Sequence, residues 1–149
     1  MSSLSGKVAL ITGASAGLGA ATVKVFAERG ASVFGIARDA ERMATVFADA
    51  YGDQPGGAFA AVDISTADAC RQAVEDCIAK FGRLDVLVNV AGFHVMRQTL
   101  SMTDDDWDRD LAVNLNGPFF LTRAALPQLL ENGGNIVNTA FIVTRDGVV

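Results

Sequence analysis

Short apolar runs alternate with amphipathic segments along the whole chain. Val8-Ala9-Leu10-Ile11, Ser32 to Ala37, Ala58 to Val62, Leu84 to Val88 and Asn135 to Thr139 read as strands. The intervening segments read as helices with identifiable ends. The first runs from about Leu18 to Glu28 and closes at Gly30, where glycine accepts the left-handed conformation without steric cost. The second is capped by Asp39, runs toward Tyr51 and ends at the breakers Gly52 to Gly57. Ser65 or Thr66 caps a third helix that reaches Phe81 and stops at Gly82. Thr103 to Asp106 place a hydroxyl and three carboxylates at the positive end of a fourth, predicted from near Trp107 to about Leu130. Pro118 and Pro127 fall inside that span and predict a kink or a break at one of them.

This order of elements predicts an α/β fold, a doubly wound parallel sheet of five strands, with residues 1–149 as one domain. In such sheets ligands bind beyond the carboxyl ends of the strands, where the strand order reverses.

Composition narrows the function classes. Half of the 149 residues are hydrophobic and 19% are charged, which fits a globular domain with a real core. A net charge of −5 supplies no basic surface for nucleic acid. No apolar run approaches the ~20 residues of a spanning helix, and Met1 to Lys7 lack a signal peptide's pattern, so no membrane role and a cytoplasmic address are expected. Cys70 and Cys77 share one predicted helix and are expected to be reduced and structural.

The candidate chemistry begins after the first strand, at Thr12-Gly13-Ala14-Ser15-Ala16-Gly17-Leu18-Gly19. Glycines there permit a tight turn and let backbone N–H groups approach a pyrophosphate, while the helix beginning near Gly17 aims its positive end at the same anion. Gly13 to Gly17 also spell G-x-S-x-G, the nucleophile elbow of serine hydrolases, with Ser15 at its centre. Against that remote alternative, only fourteen residues precede Ser15, and His94, the sole histidine, has no evident acid dedicated to it. At the end of the second strand stands Arg38, a candidate ligand for the 2′-phosphate that distinguishes NADP from NAD. Asp39 fits a helix cap better than a ribose acceptor.

The spacing Gly13-x-x-x-Gly17-x-Gly19 resembles the T-G-x-x-x-G-x-G turn of short-chain dehydrogenases/reductases. Further matches follow in that family's order over residues 4 to 140: Asp63-Ile64, Asn89-Val90-Ala91-Gly92, Asn114-Leu115-Asn116-Gly117 with Phe119, and Asn135-Ile136-Val137-Asn138. The resemblance implies that residues 1–149 form a single Rossmann-like, dinucleotide-binding domain, in which Gly13, Ser15, Gly17, Leu18 and Gly19 cradle the coenzyme and Asp63 and Ile64 meet its adenine. It implies that Asn89, Ala91 and Gly92 line the coenzyme channel, although Val90 replaces the motif's second asparagine. Asn114 matches the asparagine of the family's catalytic tetrad. The cofactor expected is NADP(H) in preference to NAD(H), and the reaction is hydride transfer between nicotinamide and a small-molecule alcohol or carbonyl.

The remaining tetrad members have no counterpart. Phe141 stands where the family's serine is expected, and the lone Tyr51 is followed by Gly52-Asp53-Gln54-Pro55, so no Tyr-x-x-x-Lys exists in the chain. Three readings follow, in order: the coenzyme-binding part of a reductase, truncated relative to the family and inactive alone; a non-catalytic dinucleotide- or partner-binding module; and catalysis completed by another chain. Apolar surface left on the fourth helix and fifth strand predicts self-association into a homo-oligomer. Trp107 is expected to be a hydrophobic anchor of its helix, His94 a solvated loop residue, and Asp104, Asp105, Asp106, Asp108 and Asp110 an acidic helix start rather than a metal cage.

Overall fold

The computed structural model describes residues 3–95, 97–140, 143, 144, 147 and 148. Five parallel strands, β1 (Val8–Thr12), β2 (Ser32–Ala37), β3 (Gly57–Ala61), β4 (Val86–Asn89) and β5 (Asn135–Asn138), form one sheet in the order β3-β2-β1-β4-β5. The helices are α1 (Gly17–Glu28), α2 (Ala40–Tyr51), α3 (Ala67–Phe81), α4 (Asp104–Leu111) and α5 (Gly117–Asn132). Val143–Thr144 and Gly147–Val148 pair antiparallel as a separate ribbon, β6 and β7. Phe141 lies outside the described residues.

Alternate residues of β1 explain why its sequence is continuously apolar. Val8 and Leu10 pack with Cys70, Ala73, Val74 and Cys77 of α3 and Leu121, Ala125 and Leu129 of α5. Ala9 and Ile11 face the other way, onto Val23 of α1 and Met43 and Phe47 of α2. A strand covered on both faces has no polar side to alternate. Each large side chain so enclosed contributes roughly 1.5–3 kcal/mol of transfer free energy. Cys70 and Cys77 are buried free thiols within this packing, and burial pushes them up to about 11 and about 12.

The predicted caps of α2 and α3 are present. Asp39 accepts from the Arg42 N–H at 3.0 Å and Thr66 from the Ala69 N–H at 3.4 Å. Elsewhere the structure corrects the reading. β3 begins one residue earlier than Ala58, and β4 begins at Val86 rather than Leu84. The fourth predicted helix starts at Asp104, where Thr103 and Asp106 form a reciprocal capping box, and not near Trp107. Trp107 is 56% exposed and anchors nothing in the core. The interruption falls just before Pro118, as a π-helical turn over Ala112–Asn116, while Pro127 is carried inside α5. Such turns hold one extra residue and recur at functional sites.

At the amino-terminal edge of the sheet, Asp85 is 2% exposed and ties the start of β1 to the turn before β4. Its carboxylate accepts from Lys7 Nζ at 3.0 Å, the Val8 N–H at 3.0 Å, and Arg83 at 2.8 and 2.7 Å. Burial alone would raise this carboxyl, but the hydrogen bonds from Arg83, Val8 and Lys7 outweigh it and hold it at about 2. A depressed carboxyl contributes stability above its unfolded value of about 4 and loses it as pH falls through the folded value. Asp85→Asn is therefore expected to lower stability at neutral pH by about 2 kcal/mol, less than for a fully enclosed pair because Lys7 and Arg83 reach solvent. Urea unfolding checks this: the wild-type advantage should be constant above pH 4 and shrink toward pH 2.

Candidate functional site

The order of strands reverses between β1 and β4, and there the chain leaves both carboxyl ends. Thr12, buried at the end of β1, ties the two together: its Oγ1 accepts from the Val90 N–H at 2.9 Å and the Ala91 N–H at 2.8 Å. The turn that follows brings backbones closer than side chains permit. Gly13 has φ 68°, and a Cβ there would lie 3.0 Å from Ala91 N. A Cβ on Gly19 would lie 2.1 Å from the Gly13 carbonyl oxygen. Only glycine lets α1 begin this close to the strand that feeds it.

A cleft of about 710 Å³ opens beyond these strand ends. Of the residues expected at a dinucleotide site, Gly13, Ser15, Leu18 and Gly19 line it from the turn, Arg38 from the end of β2, Asp63 and Ile64 from the end of β3, and Ala91 and Gly92 from beyond β4. The other three lie elsewhere. Gly17 is the exposed first residue of α1, with φ 51°. Asn89 is buried between β4 and β5, donating to Asn138 Oδ1 at 2.8 Å, while its main-chain oxygen accepts from the Thr139 N–H at 3.0 Å. Asn114, in the π turn, is engaged by the loop after β4: its Oδ1 accepts from the Phe93 N–H at 3.0 Å and its Nδ2 donates to the Phe93 carbonyl.

Charge in the cleft is arranged by position rather than by pairing. Asp63 accepts from the Ser65 N–H at 3.0 Å, which, with the nearby Arg38 and Arg109 guanidinium groups, holds its carboxyl below the usual range. Arg42 also lines the cleft, with its Nε 3.3 Å from Asp39. Arg42, Arg109, Phe93 and Val113 were not singled out by sequence reasoning. Arg42 carried a usable signal, standing in the first turn of the helix that follows the β2 tip.

His94 is also corrected. Its Nδ1 lies 3.0 Å from Asp110 Oδ2, so an acid does partner it, and Asp110 Oδ1 accepts from the Val95 N–H at 3.2 Å. This pair straps the loop after β4 to α4. No hydrogen bond joins His94 to Ser15 among the described residues, which leaves the nucleophile-elbow reading without a base in contact. No group of acidic, histidine or cysteine side chains among the described residues could hold a metal ion. Nor is any helix among them long and apolar enough to cross a membrane.

Comparison with known proteins agrees with this geometry. D-threitol dehydrogenase of Mycolicibacterium smegmatis is 38% identical over 138 residues, which make up 92% of this chain and 53% of that protein. The chain thus spans about half the length of the curated relatives it matches. The crystal structure of a metagenomic short-chain oxidoreductase in complex with NADP superposes with a TM-score of 0.90 at 37% identity, covering 99% of this chain and 69% of that one. A 3-ketoacyl-(acyl-carrier-protein) reductase from Brucella melitensis, complexed with NADH, gives 0.87 at 36% identity over 93% of this chain and 58% of that one. With the family described as short chain dehydrogenase matching residues 7–149, the chain belongs to that family of oxidoreductases.

Proposed function

We propose that this chain binds a nicotinamide dinucleotide in the cleft, NADP(H) in preference to NAD(H), as the coenzyme-binding part of an alcohol or carbonyl oxidoreductase. The observation that carries the reading is the convergence of the glycine turn, Arg38 and Asp63-Ile64 on one cleft at the point of strand reversal. The backbone N–H groups at the start of α1 suit a pyrophosphate. Arg38 makes no ion pair with the described residues, so its guanidinium is available to a 2′-phosphate. Ile64 and Val113 give apolar walls for an adenine. When bound, the dinucleotide supplies the hydride acceptor or donor.

Catalysis needs a proton donor for the oxyanion that hydride transfer creates. The chain has no Tyr-x-x-x-Lys, and the Asn114 amide is held by Phe93. We therefore expect coenzyme binding without turnover of alcohols or ketones by the 149-residue chain. Following absorbance of NADPH with a panel of ketones checks this; sustained oxidation above the no-protein rate would sink it. The buried thiols suit a reducing, cytoplasmic setting, and the exposed Leu115, Phe119, Leu126 and Leu130 support self-association.

A further inference from the structure

Arg109 is an exposed arginine of the cleft that meets an aromatic ring. Its guanidinium lies over the Phe93 ring, 5.0 Å from the centroid, and makes no hydrogen bond or ion pair with the described residues. Phe93 is itself fixed. Both its N–H and its carbonyl are bound by the Asn114 amide, and the following residues His94 and Val95 are tied to Asp110, next to Arg109 in α4. Loop and helix thus bring the cation and the ring together at the cleft. Arg109 lies four residues, about one helical turn, before Val113, and both line the cleft together with Arg38, Asp63 and Ile64.

A flat cationic surface beside apolar walls suits a flat, electron-rich ring better than a second phosphate. A phosphate would want several converging guanidinium groups, whereas a single guanidinium 5.0 Å from an aromatic ring already sits in a setting that a second ring can extend. We infer that Arg109, propped on Phe93, is a purine-binding residue that stacks on the adenine of the bound dinucleotide. This rests on the dinucleotide reading above and extends it to residues outside the glycine turn. Arg38 would then sense the 2′-phosphate and Arg109 the base, from different walls of one pocket.

The test uses the full 149-residue chain and three probes: adenosine monophosphate, adenosine 2′,5′-bisphosphate and nicotinamide mononucleotide, titrated by NMR. Arg109→Leu is expected to weaken both adenine nucleotides by the same factor, about fivefold, and to leave nicotinamide mononucleotide unchanged. Phe93→Leu should reproduce that pattern, and Arg38→Ala should weaken the bisphosphate alone. Wild-type binding with Arg109→Leu unchanged overturns this inference and spares the dinucleotide reading. Weakening of the bisphosphate alone also overturns it, by making Arg109 a phosphate ligand. Failure of the wild-type chain to bind either adenine nucleotide overturns both.

Discussion

Gly19→Ala is expected to abolish dinucleotide binding at micromolar protein and to weaken the fold. The added methyl would sit 2.1 Å from the Gly13 carbonyl oxygen and 2.6 Å from its carbon, so the obstacle is backbone and no side chain can turn aside. Either α1 shifts outward or the turn opens. Overpacking of this kind costs about 3 kcal/mol. The same movement displaces the N–H groups at the start of α1 from the pyrophosphate. Loss of two charge-assisted hydrogen bonds, about 3 kcal/mol together, is a loss of about a hundredfold in affinity. Calorimetric titration with NADPH, alongside urea unfolding of the same variant, separates the two effects. Unchanged affinity in a folded variant would mean that the glycine turn does not hold the phosphates.

Arg38→Asp is expected to reverse the order of coenzyme affinities. The wild-type arginine, at the end of β2 and on the cleft, offers two parallel donors to a 2′-phosphate. Aspartate repels that phosphate and accepts from the ribose hydroxyls of NADH instead. The combined change in the NADPH-to-NADH ratio should be about a hundredfold, the sum of a lost charge-assisted bond and a new repulsion. Asp39 does not interfere, because its carboxylate is engaged by the Arg42 N–H and Nε. An unchanged ratio would remove Arg38 from the site. In that case Arg42, in the first turn of α2 and on the same cleft, is the residue to test.

The sequence made the sheet legible because both faces of β1 are covered and most strands are followed within two residues by glycine, aspartate or threonine. What it concealed has physical reasons. The π turn adds one residue without changing composition, so periodicity alone located the interruption only through Pro118. Trp107 reads as the hydrophobic anchor of its helix because its size favours burial, but in this structure the residue is 56% exposed. The partner of His94 was hidden because Asp110 lies on another element, and its approach depends on how the loop after β4 meets the helix. Arg109 was hidden for the same reason, since Phe93 and Arg109 meet only in three dimensions. Residues on strand tips were readable from order alone; those on α4 were not. Asn89 and Asn114 occupy matching motif positions, yet hydrogen bonds within the fold engage them.

The most direct test is titration of the purified 149-residue chain with NADPH and with NADH, read by calorimetry and by backbone amide shifts. Saturable one-to-one binding is expected, tighter for NADPH, with the largest shifts at Gly13 to Gly19, Arg38 and Asp63. No saturable binding of either coenzyme, or shifts clustered away from the carboxyl ends of the strands, would contradict the assignment of this cleft.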